Sequence, residues 1–247
     1  GAESPETYET LPVRVATGPF IDISAGVAST AALRPNGFVV AWGRDRTQFG
    51  ATEDIQLPRR LLWDALAAAA DIEVGAAHLC LIDAGLVWCA GANDQRQLGS
   101  MLGTFTGLIA AGVNAVEISA SSNHTCARDT VGNVRCWGDN SDGQVNSTTG
   151  ETSGPVRVAG LSGAVDVSAG YAHSCAVAMD QVYCWGNNED EQSNPGGSSA
   201  VIEATAVAGT MGATRVAAGY IAHPQPRPRP CSRASDCPRT GGPDLAG

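Results

Sequence analysis

The amino-acid sequence predicts an all-β fold, a β-propeller, from three observations. A unit of about 48 residues recurs four times, each unit reads as short apolar–polar runs between turn residues, and paired cysteines fall at matched positions in three of the copies. The copies run from Ile23, Val74, Ile118 and Val167, and each ends on a glycine: Gly43, Gly91, Gly138 and Gly186. These glycines lie 48, 47 and 48 residues apart, and Gln48, Gln97, Gln144 and Gln192 follow at a similar offset. The expected organisation is an N-terminal extension over 1–10, then blades at about 11–57, 58–106, 107–154 and 155–203. The start of a fifth unit follows over 204–220, then a Pro/Arg-rich disordered tail over 221–247. Four full blades and a start predict an incomplete ring, whose open sheet edges are templates for pairing with another chain.

Each unit resolves into strands. Val116-Glu-Ile118 and Val165-Asp-Val167 alternate apolar and polar, as half-buried strands do. His173 to Val177 and Val182 to Trp185 read as two runs around a turn. Pro12-Val-Arg-Val15 and Pro155-Val-Arg-Val158 supply a further run, with proline at the strand start, where its missing N–H is tolerated. In the second unit Arg60 to Ala70 replaces that run, and reads as a short helix or a longer loop.

The cysteines test the strand reading. Placing Cys80 opposite Cys89, Cys126 opposite Cys136 and Cys175 opposite Cys184 puts the hairpin tips at Ala84-Gly85, Thr130-Val131-Gly132 and Met179-Asp180. Glycine suits the positive φ of such tips; the third tip lacks it. The first unit carries Ala31 and Ala41 at these positions, so both cysteines are absent together, as a bond predicts. Directly opposed Cα atoms lie about 4.5–5.5 Å apart, within disulfide reach. Three intrablade disulfides are therefore expected, and with them an oxidising, extracytoplasmic compartment. Free buried thiols are one alternative. A metal site is another, because His78, His124 and His173 each precede a cysteine by two residues. The four-ligand knuckle of structural zinc is missing.

Composition excludes other classes. The net charge is −10 and all 15 cationic side chains are arginine. Such a field repels a phosphate backbone, so nucleic acid is not an expected partner. The longest apolar run, Ala65 to Ala70, is far short of the ~20 residues of a membrane span. No phosphate loop, His-Glu-x-x-His or Gly-x-Ser-x-Gly occurs. No catalytic residue, metal or cofactor is expected.

His173-Ser-Cys-Ala followed by Val182-Tyr-Cys-Trp-Gly-Asn-Asn188 and Gln192 resembles the repeat of the regulator of chromosome condensation family. So does His124-Thr-Cys-Ala followed by Val134-Arg-Cys-Trp-Gly-Asp-Asn140 and Gln144. The likeness runs from about Leu11 to Tyr220 and implies a propeller; its cysteine pairs mark the variety found in bacterial secreted and surface proteins. The implied function is an extracytoplasmic protein-interaction module, with a protein partner of unknown identity. The alternative is a guanine-nucleotide exchange factor-like regulator of a small GTPase. After Tyr220 the His-x-Cys hairpin is missing, and prolines from His223 to Pro230 precede Cys231 and Cys237.

Recurring Trp42, Trp137 and Trp185, with Ala90 at the same place in the second unit, point to packing. Asn93, Asn140 and Asn188 point to turn hydrogen bonds. Loop residues that break the repeat are the better recognition candidates: Arg44, Asp45, Arg46, Arg96, Glu189, Asp190 and Glu191.

Overall fold

The computed structural model describes residues 14–44, 49, 55–61, 63, 66, 69–145, 152 and 154–219. Its strands form four antiparallel sheets of four, each a meander in which a strand pairs only with its neighbours in sequence. The first holds β1 (Asp22–Ala25), β2 (Ser29–Leu33), β3 (Val39–Gly43) and β4 (Ile55–Arg60). The second holds β5 (Ala69–Val74), β6 (His78–Asp83), β7 (Leu86–Gly91) and β8 (Phe105–Asn114). The third holds β9 (Glu117–Ala120), β10 (His124–Arg128), β11 (Val134–Gly138) and β12 (Val156–Arg157). The fourth holds β13 (Ala164–Ala169), β14 (His173–Ala178), β15 (Gln181–Asn187) and β16 (Ala200–Ala206). Among the described residues there is no helix. Leu61, Trp63 and Leu66, from the stretch read as helix or loop, carry no regular secondary structure and pack on the first core.

The sheets are out of phase with the sequence unit. Val156 pairs with Cys136 and Arg157 with Arg135, so the Pro-Val-Arg-Val run closes the third sheet rather than opening the fourth. Apolar cores fill the spaces between successive sheets. Leu33 and Ala41 meet Ile72, Leu79 and Leu81; Val87 and Leu98 meet Ile118, Ala127 and Trp137; Val134 and Val145 meet Val167, Ala176 and Trp185. Face-to-face packing of this kind is how propeller blades share one core.

The hairpin registers agree with the cysteine argument. Cys80 opposes Cys89, Cys126 opposes Cys136, Cys175 opposes Cys184, and Ala31 opposes Ala41. All three disulfides form across Cα pairs 4.1 Å apart. Counting outward from each turn places every cysteine pair at a non-hydrogen-bonded position, the closer kind. The tip without glycine adopts the same turn as its glycine-bearing counterpart. Met179 and Asp180 sit at φ 50° and 63°, and Ala84 and Gly85 at 49° and 82°. Replacing Cys126 and Cys136 together by alanine is expected to cost about 2–3 kcal/mol, the chain-entropy value for a loop this short. Urea unfolding under non-reducing conditions checks it. The first sheet, which carries this alanine pair natively, shows that the geometry tolerates the change.

Two sets of hydrogen bonds tie sheet to sheet. Along the inner strands, Asp22 accepts from the Ile72 N–H, Asp71 from Ile118 and Asp166 from Val216. One pleat further, Ser24 accepts from Val74, Ser119 from Ala169 and Ser168 from Ala218. The last rungs hold the fifth unit's opening segment against the fourth sheet, and Tyr171 N–H adds a bond to Gly219 O.

The second set is a clasp. His78 Nε2 lies 2.9 Å from Thr125 Oγ1, and His124 Nε2 lies 2.9 Å from Ser174 Oγ. Each hydroxyl donates onward to a backbone carbonyl, Thr125 to Gln97 and Ser174 to Gln144. It must therefore accept from the imidazole, which assigns the proton to Nε2. The same two carbonyls accept the indole N–H of Trp137 and Trp185. The first-to-second junction lacks this clasp as a set. Ser29, Leu79 and Ala90 stand where the others have histidine, hydroxyl and tryptophan, and apolar packing by Leu79 and Leu81 replaces it.

Candidate interaction faces

In a four-stranded meander the turns after the first and third strands lie at one end of the sheet. The structure joins them directly. Arg44 N–H donates to Ala28 O, Ala92 to Ala77, Asp139 to Asn123 and Asn187 to Ala172. Every described recognition candidate, Arg44, Arg96, Glu189, Asp190 and Glu191, therefore occupies one end of the propeller. Asp45 and Arg46 lie outside the described residues.

A repeated frame builds these loops. Asn93 Oδ1 accepts from Leu98 N–H, Asn140 from Val145 and Asn188 from Ser193. Gln97, Gln144 and Gln192 accept at Oε1 from the N–H two residues earlier. Recurring Asn and Gln are thus loop scaffold, and the Gln97 and Gln144 main chains also serve the clasp. The frame imposes positive φ on the fifth residue after the blade's glycine. Gly143 fills that slot in the third sheet at φ 79°, but Arg96 and Glu191 fill it at φ 63°. Non-glycine residues there carry conformational strain of about 1–2 kcal/mol.

Apolar surface joins the charges at this end. Tyr171, Val27, Met101 and Leu102 are exposed. A mostly apolar cavity of about 370 Å³ opens where β1, β5 and β9 end, lined by Val27, Val74, Ala76, Ala120 and Ser122 among others. Gly75 at its rim is required sterically. A Cβ there would lie 2.3 Å from the Ser121 carbonyl oxygen and 2.3 Å from the His78 ring. The tryptophans offer no binding stripe: Trp137 and Trp185 are fully buried, and Trp42 is partly buried against the first core.

Sequence reasoning missed the inner-strand acids. Burial raises Asp71 to about 7, with the Asp22 carboxyl beside it adding to the shift, and raises Glu73 to about 8. Glu117 is also raised by burial, against the pull of Arg128. Burial lowers His78 and His124 to about 3, and lowers His173. The imidazoles of His78 and His124 are neutral clasp donors, and each sulfur two residues beyond a histidine is bonded to the cysteine across its hairpin. The signal was present in the repeated acid before each Ile or Val: Asp22, Asp71, Glu117 and Asp166.

Stacked four-stranded meanders with shared cores, joined by inner-strand and clasp bonds, define a β-propeller built from sequence repeats. Regulator of chromosome condensation (RCC1) repeats are matched in the third and fourth units, at residues 115–144 and 164–192, and 132–177. It is 31% identical over 161 residues to the human E3 ubiquitin-protein ligase HERC2, a match covering 60% of this chain and 3% of the ligase. Prp20p from Saccharomyces cerevisiae superposes with a TM-score of 0.67 at 19% identity, over 78% of this chain and 51% of that one. Human WBSCR16 superposes at 0.71 and 17% identity, over 83% and 60% respectively. The chain thus spans a few per cent of the ligase's length and about half of Prp20p's.

Proposed function

We propose that the chain is an extracytoplasmic protein-interaction module, without catalysis of its own, that engages a protein partner through the loop end carrying Arg96 and Glu189 to Glu191. The observation that carries this reading is the pair of strained charged residues, Arg96 and Glu191, in a slot the third sheet fills with glycine. Strain retained at a loop position is the mark of a side chain kept for recognition. The surrounding mixture of Tyr171, an apolar cavity and rim charges matches the make-up of protein interfaces. The disulfides support the compartment, since such bonds persist in oxidising surroundings.

The neighbours lend general support. Prp20p was described with its binding to Gsp1p and histones, and in complex with Kap60. The same likeness motivates the alternative, exchange activity on a small GTPase.

The test exploits the slot. Arg96→Gly and Glu191→Gly are expected to leave stability unchanged or raise it by up to about 1 kcal/mol, because glycine relieves the strain. Both are expected to weaken partner capture from the native extracellular milieu. Capture that survives both substitutions would dismiss this end as the interface. Accelerated nucleotide release from a small GTPase would favour the alternative.

A further inference from the structure

Three arginines of this acidic chain gather in one place. Arg14, Arg34 and Arg60 line a single cavity of about 420 Å³ on the first sheet, on the face turned away from the second. They arrive from three segments: the stretch ahead of β1, the residue after β2 and the end of β4. Among the described residues no Asp or Glu lines the cavity. None of the three guanidinium groups forms an ion pair among the described residues. Two are held in place. Arg34 Nη2 donates to Thr17 O at 2.9 Å and its guanidinium lies 4.7 Å from the Phe20 ring, while that of Arg60 lies 3.3 Å from the Phe38 ring. Three like charges lining one cavity repel one another, and a shared counter-charge offsets that repulsion.

The cavity is a recurring feature of the architecture. At the junction of the second and third sheets a groove of about 510 Å³ occupies the equivalent place. The registers map one onto the other. Val40 faces Arg60 across β3 and β4, as Arg135 faces Arg157 across β11 and β12. Pro58 and Pro155 line the two cavities, each two residues ahead of the strand arginine. Arg34 follows β2 as Asp129 follows β10, so the second groove carries a carboxylate where the first carries a guanidinium. Asp129 is committed to its turn, accepting from the N–H groups of Val131 and Asn133. The first groove is the cationic version of a shape the fold builds more than once.

We propose that this groove binds a phosphate or sulfate monoester, its oxyanion oxygens shared among Arg14, Arg34 and Arg60. Guanidinium forks match tetrahedral oxyanions and form the stronger, charge-assisted kind of hydrogen bond. The cavity volume falls within the range of small-molecule sites, which leaves room for the organic part of an ester beside the anion.

Isothermal titration with phenyl phosphate, phenyl sulfate, inorganic phosphate and inorganic sulfate, at fixed ionic strength in chloride, tests it. Saturable binding is expected, weakened at least about tenfold by Arg14→Gln and by Arg60→Gln. Arg34→Asp, which copies the second groove, is expected to abolish it. Arg135→Gln is expected to change nothing. Esters binding more tightly than the inorganic ions assign the ester; equal binding assigns the free oxyanion as the source. Arg14 is exposed, so its substitution leaves the fold intact, and the melting temperature of Arg14→Gln in chloride should not fall below that of the parent. Heats indistinguishable from chloride, or unchanged affinity in Arg14→Gln and Arg60→Gln, would overturn the proposal.

Discussion

Replacing Trp185 by alanine is expected to cost about 4 kcal/mol of stability, the scale for truncating a fully buried tryptophan. The side chain has no exposed surface, packs in the core between the third and fourth sheets, and donates its indole N–H to Gln144 O at 2.8 Å. Trp185→Phe keeps most of the buried area and loses only the bond. The Gln144 carbonyl still accepts from Ser174, so no acceptor is orphaned and the cost should be about 1 kcal/mol. Trp42 supplies the contrast. It is partly buried and sits in the unit whose neighbour lacks the clasp, so Trp42→Ala should cost clearly less than Trp185→Ala. Urea unfolding followed by circular dichroism ranks the three. A Trp185→Ala protein no less stable than Trp42→Ala would refute the clasp as a main tie between sheets.

The fold was legible because the repeat shows its constraints more than once. The Ile-Ser-Ala-Gly opening marks the inner strand, and Cys–Cys or Ala–Ala marks the register of the middle hairpin. The phase of the sheets was not legible. Pro155 to Val158 precedes the next inner strand in sequence, but its N–H and C=O groups bond backward to β11, and side-chain pattern carries no record of that direction. Histidine, hydroxyl and tryptophan were visible as recurring residues, yet their partners are the next unit's hydroxyl and a backbone carbonyl, which no motif displays. The joint replacement of the clasp hydroxyl by Leu79 and of its tryptophan by Ala90 could have been read alongside the joint loss of the cysteines. At the loop end, breaks in the repeat drew attention to Arg96 and Glu191. Their shared left-handed slot emerged only from the backbone. The arginine groove was hidden for a different reason: its three members come from separate segments and share no period.

Stability is expected to peak on the acidic side of neutrality and to fall in both directions. The groups responsible line the inner strands: Asp71 and Glu73 on β5, faced by Asp22 of β1, and Glu117 on β9, faced by Arg128 of β10 and Asp166 of β13. Asp71 and Glu73 are raised to about 7 and 8 in the folded state. Unfolded carboxyls titrate near about 4, so the folded state binds more protons between these limits. That contribution is complete below about pH 4 and is lost as pH rises through 7 and 8. The histidines run the other way. His78 and His124 fall to about 3 from an ordinary value near 6.5, so their contribution is complete above 6.5 and is lost as pH falls toward 3. Between about pH 4.5 and 6.5 the two slopes oppose each other, and the curve is flat. Above that window only the carboxylates act, and the melting temperature should drop by about 5 °C between about pH 6 and pH 8.5. Glu73→Gln keeps an oxygen for the Ser24 hydroxyl, which donates to Glu73 at 3.1 Å, and removes the charge. It should flatten the alkaline limb and leave the acid limb intact. A parent protein whose melting temperature holds level or climbs above pH 6.5, or a Glu73→Gln variant that keeps the alkaline loss, would show that the inner strands do not store these protons.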